Sequence, residues 1–210
     1  NYEHFLRILD KIYSRIYVHC PRPEWKYFID LKKIIKGKIN LEYKGFNWRM
    51  ASNSIHFLDL FSFLIGSSEI KLNKIRVKDK ISSKRDNYME FRGKMSFLSK
   101  NQSTLIIDDD KKYKSSLMKI KFASFTDEIH INKGKMELIR RKLKKKIFHK
   151  QYKIPLTSNL TGKIVNKIFN KKKVNLTELK KSVKLHMILF PIFMKILGKT
   201  NKKIKYLPIT

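Results

Sequence analysis

Two helical patterns of apolar residues occupy the first 35 positions of the chain. The first pattern runs from Glu3 to Ile16, with apolar residues three or four positions apart. A short β-prone run, IYVHCPRP, follows it and ends at two prolines, which stop regular structure. The second pattern runs from Glu24 to Ile35 and is ended by Gly37. The first helix and the short strand together indicate the end of an α/β unit.

A change of period then separates one long helix from a series of strands. KINLEYKGF alternates as a strand and leads into NWRMASNSIHFLDLFSFLIG, Asn47 to Gly66, which has helical spacing and a terminal glycine. From Ser68 onward the period is two, in the runs EIKLNKIRVK, YMEFRGKMSFLS, STLIIDD, LMKIKFAS, EIHIN and KMELIR. The breaks between them have hairpin length. This alternation predicts an open, mostly antiparallel sheet with one wet face and one face covered by the long helix.

Two more helical patterns follow the strands. TSNLTGKIVNKIF offers Thr157 or Ser158 as an N-cap. NLTELKKSVKLHMILFPIFMKILG starts at Asn175, carries Glu178 three positions later like a capping box, and ends at Gly198. Pro191 should kink or break this last helix. The predicted fold class is α+β, with helices on one face of the open sheet, preceded by the last helix and strand of a Rossmann-like domain.

The helix from Asn47 to Gly66 carries polar residues along one side. Asn53, His56 and Asp59 are each three positions apart, so they share one side of a helix with about 3.6 residues per turn. The opposite side is apolar and consists of Phe57, Leu60, Phe61 and Leu64. In one interpretation His56 is a core histidine bonded to Asp59, with Ser52 and Asn53 capping the helix start. In the other, the polar side faces a cleft where a neutral imidazole exchanges a proton with a ligand.

The net charge of +32 predicts attraction to polyanions. One interpretation is a module that binds nucleic acid or an acidic surface through a contiguous face. Its candidate residues come from the cluster RRKLKKKIFHK and are Arg140, Arg141, Lys144, Lys145 and Lys146. The other interpretation is compositional drift, which would spread lysines over the whole surface. Nucleic acid is the less favoured partner, because the sequence has no helix-turn-helix, zinc-finger or aromatic and basic RNA-binding pattern.

The cysteine content and the length of the apolar runs exclude several kinds of site and a membrane-spanning segment. Cys20 is the only cysteine, which excludes an internal disulfide framework and a Cys-based zinc site. The longest apolar runs, Leu185 to Leu197 and Ile55 to Ile65, are too short or too interrupted to span a bilayer. The histidines outside the long helix have no ligand-like spacing with carboxylates, so no metal is expected. A cytoplasmic location is the expectation.

The segment GFNWRMASNSIHFLDLFSFLIG resembles a helix of the Gfo/Idh/MocA family of nicotinamide-dependent sugar oxidoreductases. His56 matches the histidine of the family pattern, Asp59 the acidic residue three positions on, and Leu64 with Gly66 its end. YVHCPRP is similar to the last strand of the family's cofactor domain and the exit from it. The strands from Ser68 to Arg140, and the two helices after them, are similar to the family's substrate domain.

The resemblance implies a division of the chain and a set of roles. Residues 1–22 would be the end of a dinucleotide-binding domain, and residues 23–210 a C-terminal α/β domain for substrate binding and oligomerisation through the sheet. The implied reaction is hydride transfer between NAD or NADP and a sugar or sugar-like polyol. His56 would hydrogen-bond to the reacting hydroxyl and act as its general base. Asn53 would orient a neighbouring hydroxyl, Trp48 or Arg49 would form one wall, and Asp59 would belong to the substrate site.

The chain departs from the family pattern at three places. Ser52 stands four positions before the histidine, where the family commonly has an aspartate. No glycines have the G-x-G-x-x-G spacing of a dinucleotide site, and the family's Glu-Lys-Pro motif is absent. Both would lie upstream of Asn1, so the chain alone is expected to bind no cofactor and to be inactive. A non-catalytic member of the same fold, used for assembly, is the alternative.

Overall fold

The computed structural model describes Arg7 and residues 16–83, 88–132 and 134–197. The helices are α1 (Lys26–Ile34), α2 (Met50–Ile65), α3 (Thr157–Phe169) and α4 (Leu179–Leu197). One eight-stranded sheet contains β2 (Ile39–Gly45), β3 (Ile70–Ser82), β4 (Met89–Ser99), β5 (Thr104–Asp109), β6 (Ser116–Phe122), β7 (Phe125–Asn132), β8 (Lys135–Lys142) and β9 (Lys145–Lys153). Two-residue strands β1 (Tyr17–Val18) and β10 (Thr177–Glu178) pair antiparallel with each other. Most of the helix predicted over Glu3 to Ile16 lies outside the described residues.

The sheet has the order β3-β4-β5-β2-β6-β7-β8-β9. β2 and β5 are parallel, and the other neighbouring strands are antiparallel. The predicted fold class, an open and mostly antiparallel sheet with helices on one face, is therefore confirmed. Since β2 and β5 run in the same direction, their carboxyl ends meet at one edge of the sheet, where α2 begins.

Helix α2 lies against the inner face of the sheet, as its periodicity predicted. The four residues of its apolar side are at most 1% exposed: Phe57, Leu60, Phe61 and Leu64. Each such side chain contributes about 1.5 to 3 kcal/mol when it leaves water. The helix ends at Gly66, whose φ of 73° is left-handed and whose N–H donates to the carbonyls of Ser62 and Phe63.

The C-terminal part of the chain differs from its sequence prediction in several details. The basic cluster folds as the end of β8, a tight turn and the edge strand β9. Neither Thr157 nor Ser158 caps α3, because the helix already includes both and its N-cap is Leu156. Asn175 forms no capping box, since its N–H donates to Glu24 and the chain first pairs as β10. Pro191 does not break α4, which runs through it, and the end predicted at Gly198 lies outside the described residues.

Candidate functional site

The loop before α2 is held by two consecutive aspartates at the end of β5. Asn47 donates its N–H to Asp109 Oδ1 at 2.8 Å, and the indole N–H of Trp48 donates to the carbonyl of Asp108 at 3.1 Å. Asn47 and Arg49 both have positive φ, 55° and 61°. A carboxylate buried beneath this loop therefore stabilises a backbone conformation that non-glycine residues rarely adopt.

Glu90, on β4, satisfies the first turn of α2. Its carboxylate accepts the N–H of Ala51 at 2.8 Å and the hydroxyl of Ser52. Glu90 is 1% exposed, so a buried negative charge faces the N-terminal end of the helix, where the helix dipole favours it. Ser52 stands where the Gfo/Idh/MocA family commonly has an aspartate, and its hydroxyl is hydrogen-bonded to the carboxylate of Glu90 on β4.

Asn53 and Trp48 make local contacts that shape the start of the helix. Asn53 Nδ2 donates to the carbonyl of Trp48 at 2.8 Å, while the Trp48 ring lies 5.4 Å from the Tyr43 ring and 5.1 Å from the Phe57 ring, edge to face. Trp48 and Arg49 are both half-buried. Their roles in substrate binding, and that of Asn53, stay predictions.

His56 is half-buried and surrounded by basic groups from distant segments. Burial, then Arg22, His186 and His19 in decreasing order of effect, lower the pKa of His56 from 6.5 to about 4. The imidazole is therefore neutral at neutral pH. The Arg22 guanidinium lies 4.2 Å from the centre of the Phe57 ring, and the Nη1 of Arg22 has no hydrogen-bond partner although it is buried.

Asp59 lies deeper in the molecule than His56 and does not pair with it. It is 1% exposed, and neither carboxylate oxygen accepts a hydrogen bond of ordinary geometry. Burial raises the pKa of Asp59 from 3.8 to about 6, while Thr177, Lys181 and Arg22 act in the opposite direction. The pairing expected of a structural His56 and Asp59 couple is thus not formed.

Replacing Asp59 with asparagine should stabilise the protein at neutral pH. The carboxyl ionises near pH 6 when folded and near pH 3.8 when unfolded, so stability falls as pH rises through this window. Asparagine resembles the neutral acid and escapes this loss. We expect Asp59→Asn to raise the free energy of unfolding by about 1 to 3 kcal/mol at pH 7, with the gain vanishing near pH 4. Urea denaturation at both pH values measures it.

Asp30→Asn is the matched control for this experiment. The Asp30 side chain is 46% exposed, and its hydrogen bond to Lys26 lowers its pKa, so its contribution to stability is present at neutral pH and disappears on acidification. The two variants should therefore respond to pH with opposite signs. A loss of stability in Asp59→Asn at neutral pH would mean that Lys181 and Arg22 outweigh the effect of burial.

Several residues around His56 were not singled out from the sequence. Arg22 lies in CPRP between two prolines, where it gave no periodic signal. His186 lies on α4, and its Nδ1–H donates to the carbonyl of Ser182 at 2.9 Å. His19 contacts the Thr161 hydroxyl at 3.2 Å. Within the described ranges, no three His, Cys, Asp or Glu side chains are grouped to hold a metal ion.

The basic cluster is divided between the two faces of the sheet. Arg140 forms two hydrogen bonds of 2.7 Å with Asp127 on the helix-covered side. Arg141, the next residue of the strand, points to the outer face and donates to Glu128 at 3.1 Å. The five basic residues therefore do not form the contiguous positive face that was predicted. Arg140 and Arg141 lie on opposite faces of the sheet, and each is paired with an acidic residue.

Comparison with solved structures identifies a shared fold. UDP-N-acetylglucosamine 3-dehydrogenase GnnA from Acidithiobacillus ferrooxidans matches with a TM-score of 0.61 at 10% identity, over 90% of this chain and 64% of that protein. An oxidoreductase from Thermotoga maritima matches with a TM-score of 0.58 at 14% identity, over 89% and 62%. A 3-ketoreductase from Actinomadura kijaniata, KijD10, in complex with TDP-benzene and NADP, matches with a TM-score of 0.52 at 6% identity, over 80% and 56%.

These neighbours are oxidoreductases of the Gfo/Idh/MocA type, and at such low identity the likeness concerns the fold alone. The observed α+β architecture is that of their C-terminal domain. The chain spans less than two thirds of the length of each of the three. No protein-family profile and no curated protein sequence matches the chain. Among the described helices, none is both long and apolar enough to cross a membrane.

Proposed function

We propose that this chain is the substrate-binding part of an NAD(P)-dependent oxidoreductase that acts on a sugar or sugar-like polyol. The cofactor domain would be contributed by sequence outside these 210 residues. One observation carries the proposal: a neutral, half-buried imidazole, His56, lies on the polar side of the helix that covers the sheet, where Arg22, His186 and His19 from other segments act on it electrostatically.

This arrangement fits the proton chemistry of alcohol oxidation. A neutral His56 accepts a hydrogen bond, and then the proton, from the hydroxyl whose carbon loses a hydride. Arg22 acts electrostatically on both His56 and the Asp59 carboxyl, so its positive charge lies near the position where negative charge develops on the oxygen. The nicotinamide cofactor supplies the hydride chemistry when bound, and this chain positions the carbon and manages the proton.

Two structural neighbours support the proposed classes of substrate and cofactor. GnnA is named as a dehydrogenase of a nucleotide sugar, and KijD10 was crystallised with NADP. Asn53 and Arg49 flank the loop that Asp109 holds in place. In the proposed enzyme, Asn53 orients a hydroxyl group next to the reacting carbon, and Trp48 or Arg49 closes one wall.

The test is a spectrophotometric assay of the complete protein encoded by the gene. With NAD⁺ or NADP⁺ and a panel of sugars, polyols and nucleotide sugars, we expect one compound class to increase the absorbance of the reduced nicotinamide. A complete protein that binds neither cofactor in equilibrium dialysis would contradict the proposal and favour the non-catalytic alternative.

A further inference from the structure

The turn between β8 and β9 exposes a leucine in a strained backbone conformation. Lys142 pairs with Lys145 across the hairpin, and the two residues between them, Leu143 and Lys144, have φ values of 48° and 68°. Two-residue turns of this kind favour Asn-Gly, because bulky side chains disfavour positive φ. Leu143 is nevertheless 82% exposed, so packing within the described chain does not compensate for its conformation.

The lysines around this leucine lack acidic partners. The hairpin tip, defined as Lys142–Lys150, contains five lysines, all exposed: Lys142, Lys144, Lys145, Lys146 and Lys150. No ion pair joins any of them to an acidic residue in the part of the chain that the structure describes. Arg140 and Arg141, just before the tip, are both paired. The positive charge of the tip is therefore uncompensated.

Strand β9, which follows the turn, also exposes apolar side chains. Ile147 is 52% exposed and Phe148 is 42% exposed. Lysines on an edge strand discourage pairing with another sheet, which is a sufficient reason for the charge. That reason does not account for three exposed apolar residues among the lysines, because such residues would promote association.

We propose that the hairpin tip docks on an anionic lipid surface. Leu143 and Ile147 would enter the boundary between headgroups and acyl chains, and the lysines would contact lipid phosphates. Charge complementarity identifies an anionic partner, and the aliphatic residue at the apex selects a bilayer. Nucleic-acid phosphates need the lysines only, and bases stack on aromatic rings, of which the tip has Phe148 and the imidazole of His149, which is already bonded to Glu137. This docking surface is independent of the function proposed for His56.

Vesicle co-sedimentation of the 210-residue chain tests the proposal. The chain should sediment with vesicles of phosphatidylcholine and phosphatidylglycerol, but not with phosphatidylcholine alone, and binding should weaken as salt is raised. Replacing Lys144, Lys145 and Lys146 with glutamate should reduce binding about tenfold or more. Leu143→Asn should also reduce binding while raising the thermal midpoint, because asparagine tolerates positive φ better than leucine.

The matched control changes the same charge at the opposite edge of the sheet. Lys71, Lys74 and Lys80 are exposed on β3, and their replacement with glutamate should leave vesicle binding almost unchanged. Equal losses in the two triple variants would show an effect of net charge and overturn the proposal. Full vesicle binding by Leu143→Asn would also overturn the proposal. So would release of the chain from anionic vesicles by DNA or RNA, because the tip would then prefer nucleic acid.

Discussion

Replacing His56 with alanine should lower kcat of the complete enzyme by about 10²- to 10⁴-fold, the range that general acid-base groups contribute. The residue is neutral because burial and neighbouring cations lower its pKa to about 4. It is therefore unprotonated throughout the neutral range and can accept a hydrogen bond from the substrate hydroxyl. KM should change little, since the lost interaction is mainly one of the transition state. Steady-state kinetics with the substrate found in the panel measures both constants.

His130→Ala is the control for this variant. His130 lies on β7 and pairs with Leu117 and Glu137 of the adjacent strands, in a part of the sheet remote in sequence from α2. The His130→Ala variant should retain full activity. The pH profile gives a second readout, because the wild-type rate should decline on the acid side at a pH below the ordinary pKa of 6.5 for histidine. If His56→Ala keeps near-normal turnover with an unchanged fold, the residue belongs to the core and the proposed role is wrong.

Replacing Arg140 with alanine should lower the free energy of unfolding by about 3 to 5 kcal/mol. Asp127 is 0% exposed, and its carboxylate accepts two hydrogen bonds from Arg140 and one from the hydroxyl of Tyr27, all at 2.7 Å. Without the guanidinium, a buried carboxylate would keep only one neutral donor. Urea denaturation followed by circular dichroism measures the loss.

Arg141→Ala provides a matched comparison on the same strand. Arg141 pairs with Glu128, and their side chains are 37% and 18% exposed, so solvent compensates for the lost pair. The expected loss is about 1 kcal/mol or less. Replacing Asp127 with asparagine in the Arg140→Ala background should recover part of the stability, because the buried charge is then removed. Equal effects of the two arginines would show that burial of Asp127 is not the cause.

Most of the fold could be predicted because its strands alternate regularly. In β2, Ile39, Leu41 and Tyr43 are buried while the residues between them are more exposed, and the same period marks the strands from β4 to β8. Strand β9 gave no such signal, because all seven residues from Lys145 to Gln151 are exposed. An edge strand that buries almost nothing carries no hydrophobic period.

The candidate site was only partly predictable, since its partners come from distant parts of the chain. The position of His56 on the polar side of α2 followed from spacing alone. Its low pKa depends first on burial and then on Arg22 and His186, which lie on other elements, and local periodicity does not indicate such contacts. Glu90 is a similar case, because its place within an alternating strand gave no reason to expect that it binds the start of α2.

The central position of β2 divides the sheet into two parts that meet at one ladder, between β2 and β6. The strands β3, β4 and β5 lie on one side of Ile39–Gly45, and β6 to β9 lie on the other. The segment Asp110 to Ser115 links the sides between β5 and β6. A chain cut within it would leave each fragment with its own hairpins, and the β2 and β6 ladder would be the backbone surface on which they reassemble. The strand that leads into the candidate site is thus also the strand that unites the sheet.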